Sequence, residues 1–190
     1  MSERGQHAIV FGVSVNVLIK AVVDHYAPTD VVLRLGRGLS IDDAGNVSVV
    51  TIEGRDGDPA HVAVDVYGRG GLPWDELTAS LGCAAWVNVF DTAIGVNIHS
   101  FCDRGVVLVE EGSDPDRVFF TCPLVPAAAP DALTDEPTEE QRTRLRVAAD
   151  AAVREHCPWG AALLAARDGV LDGTPLAAQP PAPSDDDIPW

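Results

Sequence analysis

This chain has almost no lysine. Lys20 is the single one, and arginine makes up the rest of the 13 basic residues, against 29 acidic ones, for a formal net charge of -16. A broad nucleic-acid face needs clustered Lys and Arg against the phosphates, so that class is excluded. Docking on anionic lipid is excluded for the same electrostatic reason. An acidic excess of this size favours a basic protein partner, or simply solubility.

Cysteine is scarce too. Thiols at positions 83, 102, 122 and 157 are too few and too scattered in 190 residues to make a disulfide scaffold. Long apolar runs are missing as well: Ala8–Val23 is interrupted by Ser14, Asn16 and Lys20 and falls short of a membrane span. The segment before it, MSERGQH, is not clearly basic, and no convincing small-residue cleavage site follows. A cytoplasmic protein with reduced thiols and no membrane association is expected. No phosphate loop, dinucleotide fingerprint or closely paired zinc-ligand pattern occurs, so no cofactor and no metal is expected. No internal repeat is found.

What is present suits a globular domain. Apolar residues make up 46% of the chain, enough for a self-sufficient core. The odd positions Ile9 to Val17 are apolar, which predicts a strand over Ala8–Val15. Leu18, Val22 and Tyr26 then follow helical spacing, with Asn16 as a candidate cap and Pro28 as a stop. Short strands are predicted at Val31–Leu35, Leu39–Asp42, Val47–Ile52 and His61–Tyr67, with Val62, Val64 and Val66 facing the core. A short helix should begin near Pro73 and end at Gly82.

The stretch Cys83–Val125 alternates apolar with small or polar residues between turn signals, and reads as the meander around which the chain is organised. Its strands are predicted at Ala85–Phe90, Ala93–Phe101, Val106–Glu110 and Arg117–Cys122. After a Pro- and Ala-rich stretch, Thr138 and Gln141 form a capping-box pattern that should open a helix ending before Pro158. Its narrow apolar stripe is Leu145, Ala149, Ala152 and Val153, and a second helix spans Trp159–Arg167.

The fold class expected is α+β: a predominantly antiparallel sheet of about seven to nine short strands, an early helix, a short middle helix and a C-terminal helical pair. The helices should cover one face, because the strands from Val47 onward alternate. The organisation read from composition is a core domain over 1–125, a linker or crossing loop over 126–137, a C-terminal helical pair over 138–171 and a Pro-rich acidic tail over 172–190.

Three places carry residue types suited to chemistry or binding. His99, Cys102 and Asp103 could place an imidazole beside a thiol, which is how a thiolate nucleophile is activated. Gly68, Arg69, Gly70 and Gly71 lie between a predicted strand and a predicted helix, where backbone amides can hold an anion. Asp185, Asp186 and Asp187 precede Ile188 and Trp190, an apolar anchor behind steering charges of the kind used for partner binding. The leading functional reading is a non-enzymatic binding or regulatory module, immunity- or adaptor-like, that engages a basic protein. The alternatives are a small enzyme centred on His99, Cys102 and Asp103 or on the Arg69 loop, and a self-associating structural protein forming a homo-oligomer.

Overall fold

A computed structural model describes residues 4–26, 34–35, 39–43, 46–54, 61–67, 71–129 and 136–169. The described strands are β1 (Arg4–Phe11), β2 (Arg34–Leu35), β3 (Leu39–Asp43), β4 (Asn46–Gly54), β5 (His61–Tyr67), β6 (Ala84–Asp91), β7 (Val96–Asp103), β8 (Val106–Asp114) and β9 (Arg117–Thr121). The helices are α1 (Val15–Tyr26), α2 (Trp74–Leu81), α3 (Glu139–His156) and α4 (Gly160–Arg167). The class is α+β, with one sheet in the order β2-β3-β4-β5-β1-β6-β7-β8-β9 and every pairing antiparallel. Among the described residues no helix is long and apolar enough to cross a membrane.

The centre of this sheet is β1, not the Cys83–Val125 meander. β1 pairs with β5 on one side and β6 on the other, so two four-stranded meanders flank the first strand of the chain. A central strand is buried on both faces, and its residues show it. Ala8 and Val10 face one core while Ile9 and Phe11 face the other. Helix α2 carries the chain from β5 across to β6 on the far side of β1.

The helices cover both faces, which corrects the single covered face expected from alternation. One core gathers Val10, Val64, Val66 and Val87 with Leu18 and Val22 of α1 and Leu77 of α2. The other gathers Phe11, Trp86, Phe101 and Phe120 with Ala149 and Val153 of α3 and Leu163 of α4. The polar half of the alternation therefore does not simply face water. Part of it lies under α3 and α4.

Local signals explain the element ends. β1 stops at Gly12, whose φ of +81° disfavours side chains and whose absent Cβ would lie 2.8 Å from Trp159 Cζ2. Ser14, not Asn16, caps α1: its Oγ accepts from the Val17 N–H at 3.4 Å and its carbonyl accepts from Leu18 at 3.1 Å. That cap moves the strand–helix boundary earlier than the apolar odd positions imply. Gly82 ends α2 in the left-handed conformation. Gln6 of β1 holds the start of α2, its Oε1 accepting from Leu72 N–H at 2.8 Å and Trp74 Nε1–H at 3.1 Å.

The capping box of α3 forms as expected, with Gln141 N–H donating to Thr138 Oγ1 at 3.3 Å and Thr138 N–H to Gln141 Oε1 at 2.8 Å. Gly160 then lets α4 turn back against α3, because a Cβ there would sit 2.3 Å from the Val153 carbonyl oxygen. Trp159 stacks on Phe11 at 6.0 Å between ring centres, which ties α4 to the middle of the sheet.

Candidate functional site

Strand register lines up a polar row across the face beneath α3 and α4. His7 of β1 lies opposite Asp65 of β5 and Asn88 of β6. Asn88 lies opposite His99 of β7, and His99 opposite Glu111 of β8. Directly opposed residues point to the same face, so one mid-strand residue from each of five strands joins the row. His7 Nδ1 lies 2.6 Å from Asp65 Oδ1. Trp86, on the same face of β6, packs between the two imidazoles. It meets His7 edge-on at 5.5 Å and stacks on His99 at 5.8 Å.

The helices bring cations to one end of this row. Arg142 and Arg146, one turn apart on α3, and Arg167 at the end of α4 enclose a cavity of about 540 Å³ with His99, Glu111 and Val118. Three of the chain's 13 basic residues thus converge on one cavity of a strongly acidic protein.

Their pairing differs. Arg146 Nε donates to Glu111 Oε2 at 2.9 Å. Arg167 makes a two-pronged pair with Asp150, at 2.7 and 3.0 Å, and a further bond to Asp168 at 2.9 Å. Among the described residues Arg142 pairs through a terminal nitrogen with Glu139, whose side chain is 75% exposed. Such an exposed pair is weak and easily exchanged for another anion.

Among the described residues, four buried side-chain atoms have no hydrogen-bond partner within the protein: Trp86 Nε1, Asn88 Oδ1, His99 Nδ1 and Arg142 Nε. Asn88 and His99 belong to this row, Trp86 packs against it, and Arg142 lies on the helix over it. An unpaired buried donor or acceptor costs about 1–3 kcal/mol, so their gathering in one place makes this the candidate site. Burial pushes the His99 pKa below its ordinary value, opposed by Glu111 and reinforced by Arg167 and Arg146. The ring is therefore neutral at neutral pH, with one nitrogen a donor and the other an acceptor.

The sequence candidates are not brought together. Cys102 follows Phe101 at a register shift in β7 and is buried in the core against α1 and α2, whereas His99 opens on the opposite face. Asp103, also buried, pairs with Arg104 at 2.8 Å in the tight turn to β8. Alternation along a strand is the physical reason: residues three apart point to opposite faces. The activated-thiolate arrangement of His99 with Cys102 is therefore not assembled.

All four thiols are free and buried. Burial raises the thiol pKa of Cys83, Cys102 and Cys157 to about 12 and pushes Cys122 in the same direction. From an ordinary value of 9.0, that cuts the thiolate fraction on the order of a thousandfold. Folded protein should accordingly resist iodoacetamide at pH 8, while the same protein in denaturant is alkylated at all four positions. Mass spectrometry reads the difference; rapid labelling of Cys102 in the folded state would restore a nucleophilic role.

Of the glycine-loop candidate, Gly68, Arg69 and Gly70 lie outside the described residues, and Gly71 sits against the Gln6 amide. Asp185, Asp186, Asp187, Ile188 and Trp190 also lie outside the described residues. Among the described residues, no group of three or more His, Cys, Asp or Glu is placed to hold a metal ion.

Sequence reasoning missed Asn88, Glu111, Arg142 and Arg146. The i, i+4 spacing of the two arginines was a visible signal. The row itself needs the register, which no single strand reveals.

On the other face, α1 and α2 form a groove of about 490 Å³ floored by Val17, Ala21, Leu77 and Leu81. Asp24, Glu76, Lys20 and His25 also line it, and Asp75 precedes Glu76 in the first turn of α2; the three carboxylates are exposed. Lys20 pairs with Asp24 at 2.6 Å, again between exposed groups. No family model matches this chain, and neither a curated protein nor a solved structure matches it.

Proposed function

We propose that this protein is a non-enzymatic binding or regulatory module that engages a basic protein partner through the α1–α2 groove. The observation that carries the reading is an apolar floor lined also by Asp24 and Glu76, with Asp75 next to Glu76 in the first turn of α2, on a chain of net charge -16. Apolar contact in such a groove supplies affinity, and the surrounding carboxylates attract and orient a cationic segment. The exposed Lys20–Asp24 pair is no obstacle, since pairs of that kind contribute about 0–1 kcal/mol and yield to a better partner. The dispersal of His99, Cys102 and Asp103 favours binding over covalent catalysis.

The test uses an amphipathic peptide rich in Arg and Lys, titrated into the full chain. Raising ionic strength from about 0.05 to 0.5 M shortens the screening length several-fold, and affinity should fall at least about tenfold. The variant Asp24→Asn/Asp75→Asn/Glu76→Gln should lose a similar factor at low salt. Binding that is indifferent to salt, or unchanged in the triple variant, overturns the proposal.

A further inference from the structure

A second binding surface lies on the face away from the groove, and its chemistry has the opposite sign. We propose that the cavity between β7–β9 and the α3–α4 pair binds the oxyanion group, carboxylate or phosphate, of a small molecule, with Arg142 and His99 as the principal donors.

Arg146 is spent on Glu111, and Arg167 on Asp150 and Asp168, so these groups are mutually neutralised. Arg142 is not. Among the described residues its Nε–H is buried without a partner, and its ion pair runs outward to the exposed Glu139. His99 lines the same cavity and its Nδ1 is likewise buried and unpartnered. Both side chains line one cavity, and with the proton on Nδ1 each carries an N–H that no described residue accepts. An oxyanion accepts both, and a charge-assisted bond to a guanidinium is about twice as strong as a neutral one.

The surroundings fit a small ligand better than a macromolecule. A cavity of about 540 Å³ lies within the roughly 300–1,000 Å³ range of small-molecule sites. Gly112 and Ser113 of β8 also border it. Behind His99 the stacked Trp86 ring fixes the imidazole plane, and Trp86 Nε1 and Asn88 Oδ1 extend the set of unpartnered groups along the sheet.

Calorimetric titration of the full chain with inorganic phosphate, and separately with succinate, tests the proposal. Saturable one-site binding of either anion is expected, and the tighter of the two assigns the ligand chemistry. Arg142→Gln should weaken it at least about tenfold, the loss expected for one charge-assisted bond. Arg144→Gln should leave it unchanged, because Arg144 is 77% exposed and pairs with Glu140 on the helix surface. In the unsubstituted protein the His99 ring resonances should move as the site fills, a readout that needs no variant to fold.

Absence of saturable binding for both anions overturns the proposal. So does an Arg142→Gln protein that binds as tightly as the parent, or a His99 signal that stays still at saturation. The groove reading stands or falls separately, since its residues lie on the other face of the sheet.

Discussion

Phe11→Ala should destabilise the protein by about 3–5 kcal/mol, the usual cost of emptying a fully buried aromatic site. Phe11 has no exposed surface, ends the central strand, and stacks on Trp159 at the mouth of α4. Its ring also lies 6.2 Å from that of His61 on β5. Truncation removes the contact that seats α4 on the sheet, and the Trp159 indole cannot follow the retreating side chain because the Gly12 backbone stands beside it. With a urea dependence of about 1–3 kcal/mol per molar, the unfolding midpoint should drop by at least about 1 M. Val147→Ala is the control, since Val147 is 68% exposed on α3 and should shift the midpoint little. A Phe11→Ala cost as small as the control's would mean that α4 does not rest on β1.

Breaking the Arg167–Asp150 pair should have the next largest effect. The two side chains are 14% and 19% exposed and bond through both guanidinium prongs. Removing one partner of a fully buried pair costs about 3–5 kcal/mol, because the other charge is left stranded. Each group here keeps some contact with water and Arg167 retains Asp168, so Asp150→Ala should cost about 2–3 kcal/mol. The informative comparison is the double variant Asp150→Ala/Arg167→Leu. Arg167 already lies over the Phe101 ring at 5.8 Å, so a leucine has an apolar surface to pack on. Equilibrium denaturation should find the double variant more stable than Asp150→Ala alone. If it is less stable by the sum of two independent losses, the two groups are not coupled and their pairing does not hold α3 to α4.

Most single elements were legible in the sequence. The Thr138–Gln141 box opened α3, Gly82 closed α2, and Val62, Val64 and Val66 turned inward. Each of these signals acts over a few residues: a side chain satisfies a nearby amide, or a strand's period of two sorts its own residues. The start of α1 was misread because Ser14 and Asn16 are both good caps, and only the backbone turn at Gly12 selects the earlier one. β8 runs on to Asp114, beyond the predicted Glu110, because Gly112 and Ser113 stay paired with β7 and β9 in spite of their turn-like composition.

The candidate site was far less legible. His99 stood out, but its neighbours in sequence led to the wrong companions. Cys102 and Asp103 are close along the chain, whereas the groups that share space with His99 are Trp86, Asn88, Glu111 and the two α3 arginines.

The sequence alone determined the charge, the inventory of strands and helices and the α+β class, because composition, periodicity and capping are properties of short segments. Tertiary structure alone decided that β1 lies at the centre, that both faces are covered, and that histidine and arginine meet over one cavity. The reason is range. Strand order and register are settled by pairings between segments tens of residues apart, and a shift of one residue would turn His99 from the cavity to the opposite core.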